Sequence, residues 1–152
     1  CSFRVSESFC SLSKPGLVFK SKLIDGKFPD YNQVIPSGDS IDMVCNKKEL
    51  GDALARSSIL TSDKYKGVRF LLDKNNLKIT ANNPDQEDAE ESIAVESGGF
   101  LEIAFNVGYI QEILNHIDEN DAIFRFFGED KSCIIQAKNH SLAIYVVMPL
   151  LI

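Results

Sequence analysis

Ile41–Cys45 (IDMVC) runs into Asn46 and then into KKELGDALARSSIL, from Lys47 to Leu60; Leu101–Phe105 (LEIAF) runs into Asn106 and then into VGYIQEILNHI, from Val107 to Ile117. The chain makes one statement twice. Each time a short apolar run ends at an asparagine and passes into the pattern of an amphipathic helix. The two asparagines stand 60 residues apart, and three strand-like runs follow each helix. An internal repeat constrains the architecture more than any local motif does. It predicts an α+β fold made from a duplicated β-α-β-β-β unit.

Asn46 suits an N-cap, and Glu49 stands three residues on, where a capping box needs it. Leu50, Ala53, Leu54 and Ser57 share one helix face, with Lys48, Asp52, Ala55 and Arg56 on others. Strands are expected at Val68–Leu72, Leu77–Ala81 and Ser92–Glu96, with a turn at Lys74-Asn75-Asn76 and a break at Gly98-Gly99. In the second copy Val107, Ile110, Ile113, Leu114 and Ile117 form the apolar stripe. Its strands are expected at Ala122–Phe127, Ser132–Ala137 and Leu142–Val147, with turns at Gly128 and Asn139-His140. Upstream, Ser2–Cys10 and Leu17–Leu23 suit a hairpin around Lys14-Pro15-Gly16. Asp25–Pro36 (DGKFPDYNQVIP) reads as a linker stiffened by its prolines.

The chain has 152 residues, 44% hydrophobic and 25% charged, enough for one ordinary core. No apolar run approaches the ~20 residues of a membrane helix; the longest, Ala143–Ile152, is interrupted by Pro149. No basic-then-apolar leader opens the chain. It begins at Cys1 in what reads as mid-strand, so a fragment is expected. Cys1, Cys10, Cys45 and Cys133 match no zinc or redox spacing. Cys45 and Cys133 sit in apolar runs and suit core positions, which predicts a reducing, cytoplasmic compartment.

The net charge of −6 argues against simple electrostatic capture of DNA. The excess is local: Asp85–Glu91 (DQEDAEE) holds five acids, and removing them from the 22 leaves 17 against 16 bases. Such a segment is expected to be a solvated or partner-facing loop. The two histidines, His116 and His140, have no partner at ligand or triad spacing, and no phosphate-binding glycine loop follows a strand. The expectation is no catalysis, no metal and no cofactor.

Five stretches together resemble the bacterial sliding clamp family, the β subunit of DNA polymerase III: Ser21–Tyr31 (SKLIDGKFPDY), Lys66–Arg69 (KGVR), Leu77–Pro84 (LKITANNP), Phe105–Tyr109 (FNVGY) and Ala143–Pro149 (AIYVVMP). The resemblance runs from about Val18 to the C-terminus. It implies that residues 1–30 are the end of an incomplete middle clamp domain with its linker, and 31–152 a complete third domain. It further implies a head-to-tail homodimeric ring with sheets outside and helices lining a hole around duplex DNA. The ring would be a non-catalytic processivity factor of a nucleotidyltransferase holoenzyme, serving DNA polymerase subunits, the clamp loader and repair proteins through linear peptides. A non-encircling peptide-docking module of the same fold is the alternative.

Three sites come with the resemblance. A peptide pocket is implied at Pro29, Val34, Tyr65, Asn106, Tyr109, Val146, Val147, Met148, Pro149 and Leu150. Apolar walls, an adaptable methionine and an amphipathic tyrosine suit that task. The family commonly has a cationic residue where Leu151 stands and a basic one at Gln33, so a greasier pocket with weaker preference for acidic ligands is expected. A dimer interface is implied at Ile59 and Leu60 with Asp85, Glu87, Asp88, Glu90 and Glu91, whose charges would steer the partner. A DNA-facing surface is implied at Lys47, Lys48 and Arg56, with Asn115 and His116 on the second helix.

Overall fold

The computed structural model describes every residue except 27–29, 62–65, 84–86, 140–142 and 152. It divides into two compact units, Cys1–Asp30 and Tyr31–Ile152.

The first unit is an antiparallel sheet of β1 (Ser2–Val5), β2 (Phe9–Lys14) and β3 (Leu17–Lys22). The expected hairpin is β2–β3; Lys14 pairs with Leu17, and Gly16 takes φ 79°, a region glycine enters without steric cost. The expected single run Ser2–Cys10 is instead two strands. The Ser6 amide donates to Phe9 O at 2.8 Å, and the Ser6 hydroxyl accepts from the Phe9 amide at 3.3 Å. Side chain and backbone thus close a turn that competes with continued extension. Pairing aligns Phe3, Leu12 and Phe19 across one exposed face.

In the second unit a short 3-10 turn (Tyr31–Gln33) precedes β4 (Ile41–Asn46), α1 (Lys47–Ser58), β5 (Gly67–Asp73), β6 (Asn76–Asn82), β7 (Asp88–Ala94) and the two-residue β8 (Glu96–Ser97). Then come β9 (Phe100–Asn106), α2 (Val107–His116), β10 (Asp121–Phe126), β11 (Cys133–Ala137) and β12 (Tyr145–Val147). The duplicated β-α-β-β-β order is present in both copies. Even the caps match: Asn46 has φ −71°, ψ 124° and Asn106 φ −70°, ψ 117°.

The copies are interlaced. Strand β4 leaves its own copy and pairs antiparallel with β10, giving a sheet ordered β12-β11-β10-β4-β8. Strand β9 pairs antiparallel with β5, giving β7-β6-β5-β9. Each copy therefore lends its first strand to the other copy's sheet, so neither copy supplies a separate piece of wall. The two helices pack on each other and on the sheets. One continuous core lies beneath them, from Leu50, Ala53 and Leu54 of α1 and Ile110 and Leu114 of α2 to Phe70, Ile79, Phe105, Phe124 and Ile135 of the strands. Strict alternation of buried and half-buried residues along β5, β6 and β10 reflects the two-residue period of a one-sided sheet. The outer face carries cross-strand ion pairs instead, including Arg69 with Glu102 and Lys78 with Glu90.

Cys45 and Cys133 are core residues as expected; burial, with Asp121 and Glu49 nearby, pushes the Cys45 thiol up to about 12, and burial also raises Cys133. A Cβ at Gly99 would lie 2.5 Å from Cγ2 of Ile41, so a larger residue there would force the Ile41 side chain to shift.

The caps yield a first prediction. Asn46 Oδ1 accepts from the amides of Lys48 at 3.0 Å and Glu49 at 3.2 Å, whereas Asn106 Oδ1 accepts from Gly108 alone at 2.9 Å. Losing such a cap costs about 0.5–2 kcal/mol. Urea denaturation should show Asn46→Ala near the upper part of that range and Asn106→Ala below it.

Candidate functional site

The C-terminal tail organises the surface of interest. Strand β12 pairs with β11 at the edge of the five-stranded sheet. Past Pro149 the chain crosses to the other sheet, where the Leu150 amide donates to Ala104 O of β9 at 2.8 Å in an antiparallel bridge. The tail thus spans the seam between the sheets and separates two concavities.

On one side lies a groove of about 710 Å³ between α2 and the tail, lined by Tyr109, Glu112, Ile113 and His116 and by Ile144 through Met148. Tyr109 and Met148 are 60% and 61% exposed. The Ser132 hydroxyl donates to Met148 Sδ at 2.8 Å and steadies that side chain. On the other side lies a more polar concavity of about 620 Å³ over β5, β6 and β7, reached by Asn106, Leu150 and Leu151.

The residues expected in one pocket are therefore divided. Tyr109, Val146, Val147 and Met148 meet in the groove, with Val147 also belonging to the core. Asn106 and Leu150 line the second concavity. Val34 lines neither and donates its amide to Tyr31 O at 3.1 Å. Pro29 and Tyr65 lie outside the described residues. Asn106 spends its carbonyl oxygen on the α2 cap, which leaves the two N–H donors of Nδ2 for a ligand. Glu112, Ile113 and Ile144 line the groove although they were not among the residues expected there, and His116 was expected on a different surface. A signal was present: Tyr109, Glu112, Ile113 and His116 recur at i, i+3, i+4 and i+7, a single helix stripe.

The residues expected at the dimer interface are also distributed. Ile59 follows α1 and is 78% exposed, while Leu60 is half-buried. The acidic segment is not a loop throughout, for Asp88 to Glu91 belong to β7, the edge of the four-stranded sheet. Glu91 pairs with Ile79, so it shares the helix-facing side, while Glu90 pairs with Thr80 on the outer side. Glu87 bonds Asn83 through both backbone and carboxylate, and Asp85 is outside the described residues.

The three cations expected to face DNA all have partners. Lys47 Nζ donates to Ile117 O at 2.5 Å, capping the C-terminus of α2. Lys48 pairs with Asp52 at 2.5 Å, and Arg56 grips both carboxylate oxygens of Glu91 at 2.8 Å. Those hydrogen bonds hold Asp52 and Glu91 below the ordinary carboxylate range and raise Arg56. Helix α1 carries three cations, Lys47, Lys48 and Arg56, against Glu49 and Asp52, and Glu91 of β7 brings the local formal charge to zero, a poor phosphate grip.

The fold and this surface can be set beside known proteins. The family model described as DNA polymerase III beta subunit, C-terminal domain, matches residues 32–151. The chain belongs to that family. The beta sliding clamp of Pseudomonas aeruginosa is 43% identical over 133 residues, 87% of this chain and 36% of the relative. That of Escherichia coli K12 is 41% identical over 134 residues, 88% of this chain and 37% of the relative. Among solved structures, a P. aeruginosa sliding clamp superposes with TM-score 0.93 at 38% identity, covering 99% of this chain and 41% of that one. A Bartonella birtlesii clamp solved with griselimycin bound gives TM-score 0.92 at 31% identity, with 99% and 41% covered. The chain thus spans little more than a third of the curated clamps it matches. The α+β clamp fold and the DNA-replication family inferred from the five sequence stretches are correct. Among the described residues no helix is long and apolar enough to cross a membrane.

Proposed function

We propose that this chain is the closing portion of a sliding clamp: 1–30 the end of a middle domain with its linker, 31–152 the third domain. In the parent protein it would help enclose duplex DNA, hold the replicative polymerase to its template without catalysing any step, and dock linear peptides of polymerase, clamp-loader and repair proteins. The carrying observation is the fit of nearly the whole chain to a solved sliding clamp at TM-score 0.93. The ion pairing of Lys48 with Asp52 and of Arg56 with Glu91 is compatible with enclosure, because a ring needs no tight phosphate grip and such a grip would add salt-dependent affinity. The groove beside the tail is the proposed peptide site. It joins an exposed tyrosine and an exposed methionine to an apolar floor, a surface suited to varied ligands.

Ring closure is assigned to the end of α1 and the β7 edge. Ile59 offers the apolar knob. Among the described residues strand β7 has a neighbour on one side only, so its other edge would offer backbone donors and acceptors to a partner strand, and its acids would steer a basic counterpart.

The intact parent should be retained on closed circular DNA and lost from linear DNA. Ile59→Ala combined with Leu60→Ala should shift its sedimentation toward monomer and abolish retention. Equal behaviour on both DNAs would favour the non-encircling docking module, and a persistent dimer would refute the interface.

A further inference from the structure

The groove beside the tail has two chemically different walls. Along the tail, Ile144, Val146 and Met148 are alternate residues of an extended segment, so they fall on one side of it. Along α2 the wall is Tyr109, Glu112 and His116. At neutral pH Glu112 supplies the formal charge of this lining; it is exposed and forms no ion pair among the described residues. His116 Nδ1 lies 2.8 Å from the carbonyl oxygen of Glu112. A carbonyl only accepts, so Nδ1 carries the proton there and Nε2 of the neutral ring is an acceptor. The helix wall therefore presents a carboxylate and an imidazole acceptor one turn apart, while the tail wall presents hydrocarbon and a thioether.

We propose that this groove selects an extended peptide that turns apolar side chains toward the tail and a cationic side chain toward α2. The inference rests on the docking role proposed above and adds the ligand's charge. An extended peptide puts successive side chains on opposite sides, so it can satisfy both walls at once. An ammonium brings three donors and no acceptor, matching Glu112 and His116, whereas a carboxylate in that place meets like charge.

The test uses this chain, which contains every lining residue, and labelled pentapeptides of the form leucine–X–leucine–X–phenylalanine, with X lysine, glutamine or glutamate. Fluorescence anisotropy at low salt should show the lysine peptide binding about three- to fivefold tighter than the glutamate peptide, as for a solvent-exposed charge contact. The gap should narrow as salt rises. Glu112→Gln should reduce it to less than about twofold, and Glu112→Lys should reverse it, on the same scale. Equal affinities, a preference for glutamate, or a lysine preference that survives Glu112→Gln would overturn the inference while leaving the docking role standing. Failure of all three peptides to bind would remove the docking role itself, and the charge preference with it.

Discussion

Phe105→Ala is expected to destabilise residues 31–152 by about 3–5 kcal/mol, the cost of truncating a large buried aromatic. Phe105 is fully buried on β9, in the four-stranded sheet. Its ring meets Phe70 of β5 edge-on with centroids 5.6 Å apart and Phe126 of β10 at 6.4 Å. Phe126 in turn stacks on Phe124 at 6.0 Å. Phe70 belongs to one sheet and Phe126 to the other, so Phe105 joins the interlaced halves through aromatic contact as well as area. Its removal takes packing from both at once. Denaturant unfolding followed by far-UV circular dichroism measures the loss. A destabilisation below about 1.5 kcal/mol, the range of a volume-conserving swap, would mean the seam is not held this way.

The second large effect concerns binding. Tyr109→Ala and Met148→Ala should each weaken a bound apolar peptide by about 2 kcal/mol, roughly 30-fold, if they are the anchors of the groove. Both side chains are more than half exposed, so neither change opens a core cavity. Met148→Ala does strip the nearly buried Ser132 hydroxyl of its sulfur partner. Ser132→Ala is the control, since it removes that contact and leaves the groove wall whole. Titration with the leucine-containing peptides, alongside thermal melts, separates lost affinity from lost fold. Unchanged affinity in both groove variants would sink the assignment.

Most individual elements were legible from the chain. Asn46 and Asn106 mark their helices because a short side-chain carbonyl satisfies amides that the first turn leaves unpaired. The Leu50-Ala53-Leu54 and Ile110-Ile113-Leu114 spacings identify the buried helix faces. Strand β7 was the clearest misplacement, expected at Ser92–Glu96 and found at Asp88–Ala94. Its core-facing positions are Ala89, Glu91 and Ile93, so a charge interrupts the alternation that betrays a strand. An edge strand tolerates that charge, and Arg56 neutralises it. The groove was half visible. Tyr109 and the tail were recognised by likeness to known clamps, but the stripe continuing from Tyr109 to Glu112 and His116 gains meaning only when the tail is seen beside it.

Local chemistry was enough for the repeat, the caps, the periods and therefore the fold class, because each depends on residues within a few positions of one another. Which strand pairs with which depended on the folded chain. Backbone hydrogen bonds are the same for every sequence, so nothing within Ile41–Asn46 says whether β4 joins β5 or β10; the choice is made by burying both apolar faces over one shared core. The same holds for the tail. Only its bridge from Leu150 to Ala104 divides the seam into two concavities and sends Asn106 to one and Tyr109 to the other.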